Sequence, residues 1–271
     1  MNIGLAGKRA VVLAGTRGLG WGAAAALARE GCDVVVCGRS VTSSSSAHPA
    51  ITALPCDLRD VDQLDAFLST AIAMLGGVDV LVTNCGGPKP GAAAEGALTD
   101  DDWVEAFQSV LLSVIRSCRR VIPLMRAQRG GAVICVGSTS AIQPIQGLAL
   151  SNALRPALLG FARTLAEEVA ADGVRVNCVL PGPSATERSL EISSWEAAAT
   201  CGDAASVLRR RTQATPLGRL GAPEELGRLV AFLAGETGSF CTGTAAVMDG
   251  GFSLRPVRLA HDEQERHAGS H

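Results

Sequence analysis

A doubly wound α/β fold, in which a parallel sheet is enclosed between two layers of helices, is what this sequence predicts. Short β-rich apolar runs alternate along the chain with Ala- and Leu-rich segments whose apolar residues recur at helical spacing. The runs are apolar throughout, as strands covered on both faces are. The first run passes through a glycine-rich turn directly into a helical pattern, the βα arrangement of a nucleotide-binding unit. Strands joined through helices imply right-handed crossovers and therefore a parallel sheet.

In chain order, strands are expected over residues 9–14, 33–38, 51–56, 78–83, 131–136, 175–180 and 244–248. Helices are expected over 19–30, 61–75, 100–128, 148–171 and 223–234. Thr99, followed by Asp100, Asp101 and Asp102, reads as an N-cap with acids in the first turn, where the helix dipole favours them. Pro223 with Glu224 and Glu225 suits the start of another helix. Ser43–Ser46 before His48-Pro49 reads as a loop. Residues 184–215 show no strand pattern and form a candidate substrate lid, with Trp195 and the mixed charges Glu187, Arg188 and Glu191. One domain is expected over residues 1–251, followed by a polar C-terminal tail, 252–271, that reads as a frayed terminus.

With 47% hydrophobic and 18% charged residues, the 271-residue chain has the balance of a compact globular protein that needs no staples. The net charge of −2 and the lack of any basic block exclude an obvious nucleic-acid partner. No apolar stretch approaches the ~18 residues of a membrane span. Residues 1–5 lead through Lys8-Arg9 into a short strand without the longer apolar region of a secretory leader, so a cytoplasmic protein is expected. The nine cysteines are odd in number, show no CxxC and lie mostly in apolar runs. They read as buried reduced thiols, and no metal site is expected. The four histidines, at 48, 261, 267 and 271, fall in a loop and the tail, where none is placed to act as a base.

The turn Gly15-Thr16-Arg17-Gly18-Leu19 lies where a strand gives way to a helix. Glycine there lets the backbone approach a pyrophosphate, and the helix N-terminus offers free N–H groups and a positive dipole end. The bland alternative is a tight βα turn with no ligand. After the second strand comes Gly38-Arg39 rather than an acid that would accept bonds from ribose hydroxyls. Arg17 and Arg39 can clamp a 2′-phosphate, which favours NADP (NADPH) over NAD; otherwise they are two solvated surface arginines.

From about residue 5 to 251 the chain resembles the short-chain dehydrogenase/reductase family. The family's TGxxxGxG turn corresponds to Leu13-Ala14-x-x-x-Gly18-Leu19-Gly20, with its first Thr and Gly replaced. Asp57-Leu58 matches the acid–apolar pair that touches adenine, Thr83-Asn84-Cys85-Gly86 matches the NNAG segment, and Pro181-Gly182 matches the PG motif, with Thr186 where the family binds the nicotinamide amide. Arg219-x-Gly221-x-Pro223-Glu224-Glu225 and Asp249-Gly250-Gly251 also fit. The resemblance implies a Rossmann-type sheet of about seven parallel strands, a small-molecule substrate and a homo-oligomer, a homotetramer or homodimer.

The catalytic centre departs from that pattern. The family uses Asn, Ser, Tyr and Lys, and this chain has no Tyr at all. Ser138 holds the Ser position, Ser151 stands at the Tyr position, Arg155 at the Lys position and Val110 at the Asn position. A phenol, with pKa ~10, can be tuned to donate a proton, whereas an aliphatic hydroxyl is far weaker and a guanidinium keeps its charge. General acid catalysis is typically worth ~10²–10⁴ in rate, so an ordinary ketone would be reduced poorly without it. Ser151 and Arg155, four apart, share one helical face; they either point into a site or belong to a helix that is now only structural. The pair resembles the Ser-x-x-x-Arg variant that some family members carry with a segment like Gly86-Gly87-Pro88.

Three functions follow as expectations. The first is an NADP-dependent oxidoreductase with an atypical site, acting on a pre-activated substrate such as an imine or conjugated carbonyl, or protonating through water. The second is a non-redox isomerase, lyase or cyclase on the same scaffold. The third is a catalytically inactive nucleotide-binding subunit.

Overall fold

The computed structural model describes residues 2–41, 48–94, 96 and 98–254. The Ser43–Ser46 loop and most of the predicted tail therefore lie outside the described residues. Seven strands form one sheet: β1 (Arg9–Val12), β2 (Asp33–Gly38), β3 (Ile51–Pro55), β4 (Val80–Thr83), β5 (Gly131–Val136), β6 (Val174–Pro181) and β7 (Ala245–Met248). Their spatial order is β3-β2-β1-β4-β5-β6-β7, and every pairing is parallel. The order reverses direction between β1 and β4, and the strand ends beside such a switch point open a crevice.

Two apolar cores flank the sheet. On one face α1 (Gly18–Arg29) and α8 (Pro223–Ala234) cover residues such as Val12, Val36, Val82 and Ile134. On the other, α2 (Val61–Leu75), α4 (Ser113–Ala127) and α5 (Ala149–Val169) cover Val11, Val35, Leu81 and Val133. Successive strand residues thus alternate between two buried faces, which is why the runs are apolar throughout. Helices α1 and α8 cross backbone to backbone: a methyl at Gly22 would fall on the Pro223 carbonyl, and one at Gly227 on the Gly22 carbonyl.

The C-terminus of α8 is held by Arg175 of β6. Its guanidinium donates to the carbonyls of Leu233, Ala234 at 2.9 Å, Gly235 at 3.2 Å and Gly238 at 2.9 Å. Those of Leu233 and Ala234 are end-of-helix carbonyls without intrahelical donors, and the other two belong to the turn that follows. Burial lowers the pKa of Arg175 from the ordinary arginine value.

The predicted N-cap at Thr99 is present, with Asp102 reciprocating, and opens α3 (Asp100–Phe107). Two expectations are corrected. The helix expected over 100–128 is interrupted by a π turn, Gln108–Leu112, before α4 begins; periodicity alone does not register one extra residue in a turn. In keeping with their lack of a strand pattern, residues 184–215 are largely helical, as α6 (Glu187–Ala199) and α7 (Ala204–Ala214). All nine cysteines are free, but Cys201 is exposed and Cys85 and Cys241 are half-buried, because they sit in connections rather than in strands.

Candidate functional site

The turn between β1 and α1 is built for close backbone approach. Ala14 takes a left-handed φ of +45° and Gly18 one of +55°. A methyl at Gly20 would fall on the Ala14 carbonyl, so α1 sits directly against the exit of β1. Asn84, after β4, donates from Nδ2 to that same carbonyl at 3.1 Å. Asn84 thus ties the two central strand ends together across the switch point. No side chain caps α1 and its first turn contains no acid, whereas Asp60, Thr99 and Asp203 cap α2, α3 and α7. The first amides of α1 are left to an outside anion or to water.

Around this turn the predicted residues fall into place unevenly. Gly15 packs on Val36 and Thr16 packs over Gly38, while Leu19 is half-buried. Thr186, preceding α6, lies beside Gly18, and Pro181 and Gly182 leave β6 next to Asp249. Leu58 is buried. Asp57 is gripped by Arg59, with Nη2 to Oδ2 at 2.6 Å, and this hydrogen bonding holds its carboxyl below the ordinary aspartate range. Arg39 is exposed at the end of β2. Arg17 does not meet it in a ready clamp: the Arg17 guanidinium is ion-paired with Glu187 of α6, and both side chains are well exposed. The sequence contained no signal for this pairing across 170 residues.

The reaction end is assembled from three elements. Ser138 follows β5 and starts a 3₁₀ turn, Thr139–Ala141; its Oγ accepts the Ser140 N–H at 3.1 Å. The hydroxyl that meets Ser151 is not Ser138 but Ser140, with Oγ to Oγ at 2.9 Å, and both residues are buried. Ser140 was within the predicted Ser138 segment, but only the tight 3₁₀ turn aims it at α5. Arg155 is 5% exposed. Its Nη1 donates to the Val136 carbonyl at 2.9 Å and its Nη2 to the Gly86 carbonyl at 2.6 Å, so it joins β5 to the segment after β4. Val110, at the position the family resemblance gives to Asn, is fully buried within the π turn and offers no polar group.

Two further residues belong to this neighbourhood. Arg188 of α6 donates to the Pro88 carbonyl and packs on Gly87. Trp195 of the same helix lies on Gly147, just before α5, so α6 is tied to the segments that follow β4 and precede α5. The charge of Arg188 and the bulk of Trp195 were visible within the lid candidate; their targets were not.

The profile of the family described as Enoyl-(Acyl carrier protein) reductase matches residues 13–253. The chain is 32% identical over 259 residues to rabbit (Oryctolagus cuniculus) dehydrogenase/reductase SDR family member 4, covering 93% of this chain and 95% of that one. It is 27% identical over 261 residues to the 3-oxoacyl-[acyl-carrier-protein] reductase FabG of Chlamydia muridarum, covering 93% of this chain and all of that protein. Among solved structures, L-sorbose reductase from Gluconobacter frateurii, complexed with NADPH and L-sorbose, superposes with a TM-score of 0.85 at 29% identity, over 94% of this chain and 100% of that one.

Proposed function

Because this chain belongs to the short-chain dehydrogenase/reductase family of oxidoreductases, we propose that it is an NADP-dependent oxidoreductase of a small-molecule substrate, with an atypical proton-transfer site. The observation that carries the cofactor reading is the uncapped N-terminus of α1 beside a β2 that ends without an acid, at Gly38-Arg39. Exposed anion-seeking amides and the exposed Arg39 guanidinium suit a dinucleotide bearing an extra phosphate. The NADPH in the L-sorbose reductase complex supports the same reading.

The residues fit such a group. Gly15, Thr16, Gly18 and Leu19 would hold the diphosphate, with Arg17 and Arg39 at the ribose 2′-phosphate. Asp57 and Leu58 would border the adenine. Asn84, Cys85, Gly86, Pro181, Gly182 and Thr186 would border the nicotinamide half. When bound, NADPH supplies a hydride.

The chain's own contribution is to orient the substrate and manage a proton. Ser138 presents a half-buried hydroxyl toward the reacting group. The Ser140–Ser151 pair, at 2.9 Å, can hold a substrate oxygen or an ordered water but cannot release a proton as a phenol does. Arg155 places a fixed positive charge beside that pair, which stabilises negative charge developing on a substrate oxygen. Such a site suits substrates already activated toward hydride, or those protonated through water.

The test is a fluorescence titration with NADPH and NADH, followed by absorbance at 340 nm with imines, conjugated carbonyls and simple ketones. NADPH is expected to bind about tenfold or more tightly than NADH, and turnover to favour activated substrates over simple ketones. Equal or absent binding of the two cofactors would overturn the NADP assignment, and product formation with no change in cofactor would overturn the redox one.

A further inference from the structure

Two guanidiniums approach the Gly86-Gly87-Pro88 segment from different helices. Arg155, on α5, donates to the Gly86 carbonyl at 2.6 Å. Arg188, in the first turn of α6, donates to the Pro88 carbonyl and occupies the space a side chain at Gly87 would need. Their charges are mutually felt: the pKa of Arg188 is lowered first by burial, against the opposing effect of Glu191, and then by Arg155. Arg211 of α7 adds a third cation, lowered by burial and also by Arg188, against the opposing effect of Glu196.

The carboxylates present do not answer all of this charge. Glu191 meets Arg188 Nη1 at 3.2 Å, and Glu196 is shared between Arg210 at 2.9 Å and Arg211 at 3.6 Å. Arg155 forms no ion pair among the described residues, although it is 5% exposed, and its buried Nε–H has no partner. A guanidinium has five N–H donors, and Arg155 directs its hydrogen bonds only at neutral carbonyls. A buried cation met only by neutral acceptors is unfavourable, and a bidentate anion relieves it best.

Resting on the reading that this site transfers a hydride to or from a small molecule, we infer that the substrate carries a carboxylate, recognised by Arg188 and Arg155 at the edge of the Gly86-Gly87-Pro88 segment. The two arginines divide the task. Arg155 is fixed by β5 and α5 and supplies a permanent charge. Arg188 rides on α6, so a carboxylate bridging both draws that helix toward the site. A neutral sugar or simple ketone leaves these donors unanswered and is disfavoured for that reason.

The experiment is calorimetry on the full chain. NADP⁺ is titrated first, which reports on the cofactor reading separately. The NADP⁺-saturated protein is then titrated with two pairs that differ in charge only, benzoate against benzamide and oxamate against oxamide. At least one anion is expected to bind about tenfold tighter than its amide. Arg188→Gln is expected to erase most of that preference while leaving NADP⁺ affinity unchanged; a small drop in melting temperature from the lost bond to the Pro88 carbonyl is read separately by thermal melts. Arg155→Lys, which keeps the charge and loses the fork, is expected to weaken the anion less than Arg188→Gln. If anion and amide bind alike, or if Arg188→Gln keeps the preference intact, the inference is overturned. If NADP⁺ itself fails to bind, the cofactor reading falls, and the same titrations without it decide the arginine site by the same criterion.

Discussion

Ser151 on α5 shares a 2.9 Å hydrogen bond with Ser140, and the two residues are 7% and 2% exposed. Removing one partner strands the other in the interior, at a penalty of about 1–3 kcal/mol. Ser151→Ala and Ser140→Ala should each lower stability by that amount, and the double variant by less than their sum. A double-mutant cycle from urea unfolding measures the coupling; strict additivity would mean that the two hydroxyls do not interact.

Glu187 holds Arg17 away from the end of β2. In Glu187→Gln the guanidinium is released, and one negative charge leaves the neighbourhood of an incoming phosphate. An exposed pair of this kind is worth ~0.2–1 kcal/mol, so NADPH should bind about two- to fivefold tighter, with NADH nearly unchanged. Titrations of both cofactors at low and high salt check this. An equal gain for NADH would point to loosening of α6 instead.

Ala14 sits at φ +45°, where a Cβ is crowded and glycine is not. Ala14→Gly should therefore stabilise the protein by about 0.5–1 kcal/mol, in spite of the greater freedom it gives the unfolded chain. Thermal melts would show the gain, and a lower melting temperature would argue that the Ala14 methyl is needed for packing.

Arg175→Met keeps much of the apolar stem but leaves the last carbonyls of α8 without their donor. A loss of about 2–4 kcal/mol is expected, read as a lower urea midpoint at unchanged slope. Arg175→Lys should recover only part of it, since one ammonium cannot span carbonyls from Leu233 to Gly238.

Glu225 bonds Arg219 at 2.7 Å and accepts the Ala222 N–H at 2.7 Å. These bonds, Arg219 foremost, hold its carboxyl down to about 2, from an ordinary 4.5. A carboxyl whose pKa is depressed by folding stabilises fully above its unfolded value and loses that contribution as the pH falls through its folded one. Between about pH 4.5 and 2 the native protein should thus weaken, and Glu225→Gln should flatten that limb while being less stable near neutrality. Urea midpoints across this range test it. Parallel acid limbs for the two proteins would remove Glu225 from the account.

The sheet was legible because its central strands are buried on two faces and read as nearly unbroken apolar runs, as in Val34, Val35 and Val36, while the half-exposed edge strands β3 and β7 carry a weaker pattern. Helix starts at Thr99 and Pro223 were legible because capping is a local matter of a few adjacent residues. What escaped was set by contacts distant in the chain. Nothing near Arg17 announces Glu187, and nothing near Ser151 chooses Ser140 over Ser138. The helices of 187–214 were hidden because their exposed faces are mixed in charge and their apolar anchors few, with Ser189, Ser193, Ala197 and Val207 among the buried positions.

The glycine contact between α1 and α8 has a consequence for synthesis. With bare backbone against bare backbone at Gly22 and Gly227, there is no cushioning layer between the two rods. The first helix of the chain therefore owes its final packing to a helix that leaves the ribosome some two hundred residues later. Until that late helix emerges, the growing polypeptide leaves part of one apolar face of its half-made sheet uncovered, and this interval is when it most needs a chaperone's shelter.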